Sequence, residues 1–479
     1  MDYVIWCLLG TVYGMIIGIM PMAGATTGLL TVFGLSSYFL ADPYLGIVFL
    51  TSLIAASSTG DSFTSILTGI PGSNTTAASV IDGYKMAQQG QAARAIGIAI
   101  MDSTVNGVLW GTIAFALMPV YSKLILVFGI PEFMAFMIVA LACVGFITSK
   151  NIVLSFVAIA LGCFLGMIGQ EPSTGITRYT FGWEYLGAGV QLIPLIAGLF
   201  GIPEVVSGFR KTSVRPAPIT DYWSQLFQGF RDCVIHWREV LRGGFIGFVT
   251  GLMPGIGGTI GDIMAYGATV AKYPKEVFGN GNIKGLLGCE GANNAQKASS
   301  LVPTVLFGIP GAPFAAVMMA ICMYFGMELG TPQVLKDNTF FWSLGGAFIA
   351  STILAFFIAI FTTRIVVRLL EIPYWIYATI ILAVIVWSCM EYTGTVNDLY
   401  ILVLCSILGL VCKSAKISRP AVMVAFILVE KLENYIQQTQ ALYTVGELVT
   451  RPIFVTLIVI AIGVLLYSIF KPNRGLAYH

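Results

Sequence analysis

Two stretches of this 479-residue chain combine residue types that could hold an acid or an ion. The first, residues 57–91, reads SSTGDSFTSILTGIPGSNTTAASVIDGYKMAQQGQ. An apolar half-helix ends at Gly69, Ile70-Pro71-Gly72 interrupts it, and Ser73-Asn74-Thr75-Thr76 opens a second helix of small residues. That pattern describes a re-entrant hairpin near 60–80. Its tip brings free N–H groups and hydroxyls to the positive end of a helix dipole, which can hold a carboxylate without Arg or Lys. The plainer alternative is that Ser73 or Thr75 only caps a kinked membrane helix. The second stretch, near 298–320, repeats the phrase as Gly308-Ile309-Pro310-Gly311 and continues Ala312-Pro313-Phe314, with no hydroxyl at the tip. The first tip then supplies side chains, and the second supplies backbone and apolar surface. Ligand-binding candidates are Gly72, Ser73, Asn74, Thr75, Thr76, Gly311 and Ala312. Asn293 and Asn294 join them, because paired amides bind carboxylate and cation alike.

Asp61 and Glu290 are the acids to consider next. Carboxylates at membrane depth are costly and face a cavity or an ion. Asp61 stands in an uncharged polar run, and Glu290 in Cys289-Glu290-Gly291-Ala292-Asn293-Asn294-Ala295. Carboxylate, amide and exposed carbonyl oxygens are hard ligands that suit Na⁺ better than a transition metal. The alternative for each is a solvated position at a membrane boundary. Asp82-Gly83-Tyr84, followed by Lys85 and Arg94, is expected to form a cytoplasmic turn. Residues 255–262 contain G-x-G-x-x-x-x-D, but no strand–helix unit surrounds them, and a matching segment sits at 24–28, so a dinucleotide site is excluded. Both segments are expected to be helix breaks lining a pathway, with Pro21, Gly24 and Thr26 in one and Pro254, Gly257 and Thr259 in the other. The only histidines are His236 and His479, which argues against a histidine-based metal or acyl-transfer centre.

The elements that must position these residues are membrane helices. The chain is 57% hydrophobic and 10% charged, with mean hydropathy +0.87; soluble domains average about 25% charged. A net charge of +2 leaves no basic face for nucleic acid. The nine cysteines include no C-x-x-C and are expected to be small core residues. Residues 1–10 lack a basic leader and cleavage site, so the first apolar run is expected to be retained. Apolar runs recur near 3–20, 44–59, 94–120, 132–148, 152–169, 184–207, 243–270, 301–326, 339–363, 373–389, 398–412, 418–430 and 452–470, predicting an all-α polytopic protein of about 11–13 membrane segments.

A basic connection, 208–242, divides the chain into halves that align. At an offset of 233, Gly14, Gly18, Met20, Pro21, Gly24, Thr26, Gly28 and Gly34 match Gly247, Gly251, Met253, Pro254, Gly257, Thr259, Gly261 and Gly267. The Gly-Ile-Pro-Gly phrases match at 239, and Ile130-Pro131 matches Ile372-Pro373 at 242. This is an internal duplication. Lys and Arg gather in cytoplasmic loops. The central connection is basic, as are the loops holding Lys272, Lys275 and Lys284, Arg364 and Arg368, and Lys413 to Arg419; the Lys272 loop corresponds to 41–44, which has no Lys or Arg, and the basic 85–94 segment corresponds to 328–337, which is poor in them or balanced by acids. Opposite bias in corresponding loops predicts inverted repeats, 1–207 and 243–479, joined by a cytoplasmic segment at 208–242. Gly/Pro interruptions at matching places in such repeats point to a transport site.

Gly14-x-x-x-Gly18-x-x-Pro21, Ile70-Pro71-Gly72 with Asp82-Gly83-Tyr84, Pro254-Gly255-Ile256-Gly257, Glu290 with Ala292-Asn293-Asn294-Ala295, and Gly308-Ile309-Pro310-Gly311 occur in this order over nearly the whole chain. Together they resemble the large membrane subunit of the tripartite tricarboxylate transporters, the TctA family. The resemblance implies a secondary transporter of the bacterial inner membrane, driven by an ion gradient with Na⁺ as coupling ion. It would work beside a small membrane subunit and a periplasmic solute-binding protein that delivers an organic carboxylate. Met22, Lys85, Gly291 and Ala312-Pro313-Phe314 depart from the family pattern, the last toward a more apolar ligand.

The expected mechanism is alternating access, with a body carrying both hairpins moving elevator-like against flanking helices in the lipid. No organic cofactor and no enzymatic activity are expected. The alternatives are a passive channel, a transporter for another small anion, and an intramembrane hydrolase pairing Asp61 with Asp262, for which no second motif exists.

Overall fold

A computed structural model describes residues 2–34, 39, 41–125, 128–148, 152–171, 174–209, 221–255, 257–370 and 372–470. The first half contains α1 (Asp2–Ile19), α2 (Gly24–Phe33), α3 (Pro43–Thr68), α4 (Ala92–Ile125), α5 (Ile130–Thr148), α6 (Ile152–Gly166), α7 (Leu192–Ile196) and α8 (Ile202–Phe209). Then come α9 (Tyr222–Ile235), α10 (Trp237–Gly251), α11 (Gly257–Lys272), α12 (Ile283–Phe307), α13 (Pro313–Tyr324), α14 (Pro332–Leu335) and α15 (Asn338–Leu370). The chain closes with α16 (Tyr374–Thr393), α17 (Asn397–Ser414), α18 (Arg419–Leu442), α19 (Val445–Val449) and α20 (Pro452–Phe470). Among the described residues, strand is confined to Gly169–Gln170 paired antiparallel with Thr177–Arg178.

Seven helical stretches are long and apolar enough to cross a bilayer, and five shorter apolar helices accompany them. Their outward faces are apolar: Val4, Ile5, Leu8, Leu9, Val12 and Ile16 on α1, and Val403, Leu404, Ile407 and Val411 on α17 are exposed. Such surfaces are satisfied by lipid rather than water. The chain is an all-α polytopic membrane protein.

The two helices that precede the Gly-Ile-Pro-Gly phrases obey the same local rules. Asp42 caps α3 by accepting from Tyr44 N, with Pro43 in the first turn, and Gly69 ends it at φ +70°. Asn282 caps α12 by accepting from Lys284 N and Gly285 N, and Gly308 ends it at φ +63°. These are whole helices of 26 and 25 residues, not half-helices; the run of small residues needs no break before Gly69. α12 fails as an apolar span because it carries Glu290, Asn293, Asn294, Gln296 and Lys297, and it survives because every one of these is buried in protein.

Each is gripped by the helix two places before it. α1 crosses α3 so closely that a Cβ added at Gly10, Gly14 or Gly18 would lie 2.4–2.5 Å from the carbonyl oxygen of Phe49, Leu53 or Ser57. α10 crosses α12 in the same way: a Cβ added at Gly243, Gly247 or Gly251 would lie 2.4–2.6 Å from the carbonyl oxygen of Gly288, Ala292 or Gln296. The apolar run at 243–270 is two helices, α10 ending at Gly251 and α11 opening at Gly257, with turns at 252–255 between them. α15 packs along both α3 and α4, while α5, α6, α18 and α20 form a separate group.

The 208–242 connection is described in part, and the expected turn at Asp82 is corrected. Part of the 208–242 connection is folded helix: α9 lies on α4, where Gly229 meets the carbonyl of Arg94, and Arg94 pairs with Asp232 at 2.6 Å. Asp82 is not a solvated turn residue. It is buried, its Oδ1 accepts from the backbone N–H groups of Gly279, Gly281 and Asn282 at 2.8–2.9 Å, and its Oδ2 accepts from Tyr266. A carboxylate with four donors clamps the loop before α12 to the first hairpin.

Candidate functional site

The site is built where the breaks and tips converge. Beyond α1 the chain turns at 20–23, with Met22 at φ 64° and Gly24 at φ +59°. The amide of Met22 donates to the carbonyl of Pro71 (3.2 Å), and the amide of Gly255 donates to that of Pro310 (2.9 Å). Each break is therefore pinned to one tip. Gly72 N donates to Ser65 Oγ and Gly311 N donates to Thr304 Oγ1, both at 3.1 Å, so each tip is also tied to its own helix.

At the first tip Ser73 and Thr76 form a capping box around the three-residue turn Asn74–Thr76. Beyond it the chain runs on through π-helical turns at Val80–Tyr84 and Ala87–Gln91 into α4. Amides at the start of the three-residue turn are taken up locally: Thr75 N donates to Ser73 Oγ and Ser73 N to Thr76 Oγ1, both at 3.3 Å. What remains is a pair of hydroxyls, Ser73 and Thr75, joined at 2.8 Å. The uncapped helix start belongs to the second tip. There Ala312 precedes α13 without a side-chain cap, and Pro313 and Phe314 reach the cavity.

That cavity, about 40 Å³, is lined by residues 22–27, Ser73, Thr75, Phe200, Glu204, Lys297, Pro313 and Phe314. Of the expected break residues, Gly24 and Thr26 line it. Pro21 and Pro254 shape the turns without lining it, and the side chain of Thr259 and the surroundings of Gly257 lie outside the described residues, as does the side chain of Asn74. Gly72, Thr76, Gly311 and Ala312 stand behind the lining, the two glycines because their Cα atoms rest on the backbones of Asp61 and Ser300.

Lys297 is the residue that sequence reasoning missed. It is 1% exposed, and its Nζ donates to Asp61 Oδ2 and to Ser57 Oγ, both at 3.0 Å. Ser73 Oγ donates to the same carboxylate oxygen at 2.6 Å. A lone buried ammonium would be prohibitively costly, so α3 supplies the counter-charge from across the helix pair. The repeat alignment held a signal. At offset 239 Lys297 corresponds to Ser58, one helical turn from Asp61, so opposite charges stand a turn apart at equivalent places in the two halves. Glu204, also on the cavity, is neutralised by Arg419 (2.7 Å) and Lys413 (3.0 Å), which leaves Lys297 the cationic lining group.

Glu290, Asn293 and Asn294 lie one to two turns back along α12 and are fully buried. They are helical, so exposed carbonyl oxygens are not part of their ligand set. Ser62 Oγ donates to Glu290 Oε2 (2.7 Å), Asn293 Nδ2 donates to the carbonyl of Ser58 (3.2 Å), and Ser58 Oγ donates to Asn294 Oδ1 (3.2 Å). These side chains join α12 to α3 instead of facing the cavity. Several of their atoms, and others nearby, have no partner: Asp61 Oδ1, Asp102 Oδ2, Asp262 Oδ1, Glu290 Oε1 and Asn293 Oδ1. Buried oxygens left over in this way are the donor set that a hard cation or protons would complete. Among the described residues no three His, Cys, Asp or Glu side chains converge on one metal position. Asp61 and Asp262 do not form a hydrolytic pair, since Asp262 Oδ2 accepts from the amide of Ala78 while Asp61 is bound to Lys297.

The family model described as "Tripartite tricarboxylate transporter TctA family" matches residues 4–424. An Agrobacterium vitis protein, the "Uncharacterized 52.8 kDa protein in TAR-I ttuC' 3'region", is 25% identical over 476 residues, covering 98% of this chain and 94% of its own length. A second protein of that organism, from the TAR-II ttuC' 3'region, is 24% identical over 234 residues, covering 48% of this chain and 96% of its own length. No solved structure matches.

Proposed function

The chain belongs to the TctA family of tripartite tricarboxylate transporters, and from that premise we propose that it carries an organic carboxylate across the bacterial inner membrane by Na⁺-coupled alternating access. Its partners are a small membrane subunit and a periplasmic solute-binding protein. The observation that carries this reading is the cavity in which the first helix break, both hairpin tips and a buried ammonium meet. It offers a carboxylate the Ser73 and Thr75 hydroxyls, Lys297, and the open amides at the start of α13, while Phe314 and Phe200 bound it with apolar surface.

The paired contacts support two inverted repeats over 1–207 and 243–479. Met22–Pro71 and Gly255–Pro310, Gly72–Ser65 and Gly311–Thr304, and the two glycine crossings all recur with the sequence offsets of 233 and 239. Two interdigitated hairpins with their leading helices make one body, which slides elevator-like against the group built from α5, α6, α18 and α20. Na⁺ would draw on Asp61 and Glu290 with Asn293, whose spare oxygens are hard ligands.

The test is carboxylate uptake into proteoliposomes holding both membrane subunits, with the binding protein added outside. Uptake is expected to need both the Na⁺ gradient and the binding protein, and to fall with Ser73→Ala combined with Thr75→Val. Uptake that persists without gradient and binding protein would identify a passive channel and overturn the proposal.

A further inference from the structure

Lys297 has three N–H donors and, among the described residues, two acceptors, Ser57 Oγ and Asp61 Oδ2. It alone of the pair lines the cavity; Asp61 stands behind it with Oδ1 unpartnered and no exposure. The surrounding interior is short of positive charge. Asp61, Asp102, Asp262 and Glu290 are all fully buried on α3, α4, α11 and α12, and among the described residues Lys297 is the one buried ammonium near them. A carboxylate entering the cavity meets an ammonium already committed to another carboxylate, so two anions compete for one cation in a medium that screens poorly.

We infer that Lys297 is a counter-ion shared between Asp61 and the incoming carboxylate, so that Na⁺ must replace the ammonium at Asp61 before the carboxylate is held. This deepens the transport reading and rests on it. The order of events follows from the geometry. Na⁺ enters beside Asp61 Oδ1, the side chain that also accepts from Ser73; the Lys297 ammonium is released toward the cavity it already lines; and the carboxylate closes on Lys297 and the freed Ser73 hydroxyl. Without Na⁺ the pair re-forms and closes the cavity to anions. The same lysine thus excludes uncoupled movement of either solute.

The test uses the full chain in nanodiscs, reading thermal unfolding in NaCl against choline chloride, with citrate and succinate as carboxylate probes. In Lys297→Met the competing ammonium is gone, so the Na⁺ midpoint is expected to fall by ~10-fold or more while carboxylate stabilisation is lost. In Asp61→Asn the Na⁺ response disappears and carboxylate stabilisation becomes independent of Na⁺. Lys297→Met with an unchanged or weakened Na⁺ midpoint, or Asp61→Asn still requiring Na⁺ for carboxylate, overturns the shared counter-ion. Should Lys297→Met not fold, Asp61→Asn combined with Lys297→Met removes both charges. It is expected to respond to neither solute, and a retained response to either overturns the inference as well. A wild-type chain that responds to Na⁺ as described but to no carboxylate would strike the transport reading and leave the exchange at Asp61 standing.

Discussion

Replacing Gly72 or Gly311 by alanine tests the construction of the tips. A Cβ on Gly72 would lie 2.5 Å from both the Cα and the carbonyl oxygen of Asp61, and one on Gly311 would lie 2.3 Å from the carbonyl of Ser300. These neighbours are backbone in the middle of a buried helix and cannot rotate away. Each tip must therefore lift by about 1 Å to restore ordinary contact near 3.5 Å. Lifting stretches the amide bond to Ser65 or Thr304 and the bond that pins the break, Met22 to Pro71 or Gly255 to Pro310. Two weakened hydrogen bonds, buried groups left partly unsatisfied and the residual overlap together cost about 2–4 kcal/mol. Because the two tips are built alike, the two substitutions should cost alike, and Gly72→Ala should also displace Ser73 from Asp61 and weaken carboxylate uptake. The assay is thermal unfolding in nanodiscs beside uptake in proteoliposomes. A Gly72→Ala chain that unfolds at the wild-type temperature and transports at the wild-type rate would refute the close-approach account.

Other substitutions separate glycines and acids by their surroundings. Gly463, inside α20, has open space around it, so Gly463→Ala should be neutral or stabilising by about 0.5–1 kcal/mol. Gly247→Ala, whose Cβ would lie 2.5 Å from the carbonyl of Ala292, should lower the unfolding temperature in nanodiscs. Asp82→Ala removes the acceptor of three backbone amides, and limited proteolysis should then cut within 279–282, where the wild type resists. The hydrogen bond from Lys284 holds the Glu276 carboxyl below its usual range. A depressed value means that the pair's stabilisation is present above the ordinary glutamate pKa of about 4.3 and is lost as pH falls through the lower folded value. The small difference in unfolding temperature between wild type and Glu276→Gln should hold from neutral pH to about 5, close in stronger acid, and shrink in high salt.

The breaks and tips were legible because glycine and proline act locally: Gly69, Pro71 and Gly72 end a helix whatever surrounds them. Ser73 announced itself for the same reason, as a cap. Partnerships across the repeat were harder to read, since Lys297 between Gln296 and Ala298 carries no periodic signal, and only packing α12 onto α3 brings it to Asp61. Asp82 misled for a related cause. Asp-Gly-Tyr before basic residues has turn chemistry, yet its carboxylate is consumed by amides almost 200 residues away in sequence. The sequence pattern marks Ser73 as a helix start and says little about the amides there, which Ser73 and Thr76 themselves take up.

The glycine crossings carry a last consequence, for the bilayer. With glycines packed directly on carbonyls where α1 crosses α3 and where α10 crosses α12, neither leading helix can stay behind when its tip moves. α1 presents Val4, Ile5, Leu8, Leu9, Val12 and Ile16 outward. On the proposed motion this face is dragged through the acyl chains, so the lipid is the lubricant of the stroke. Turnover should then respond to bilayer thickness and viscosity even where the cavity and its ligands are unchanged.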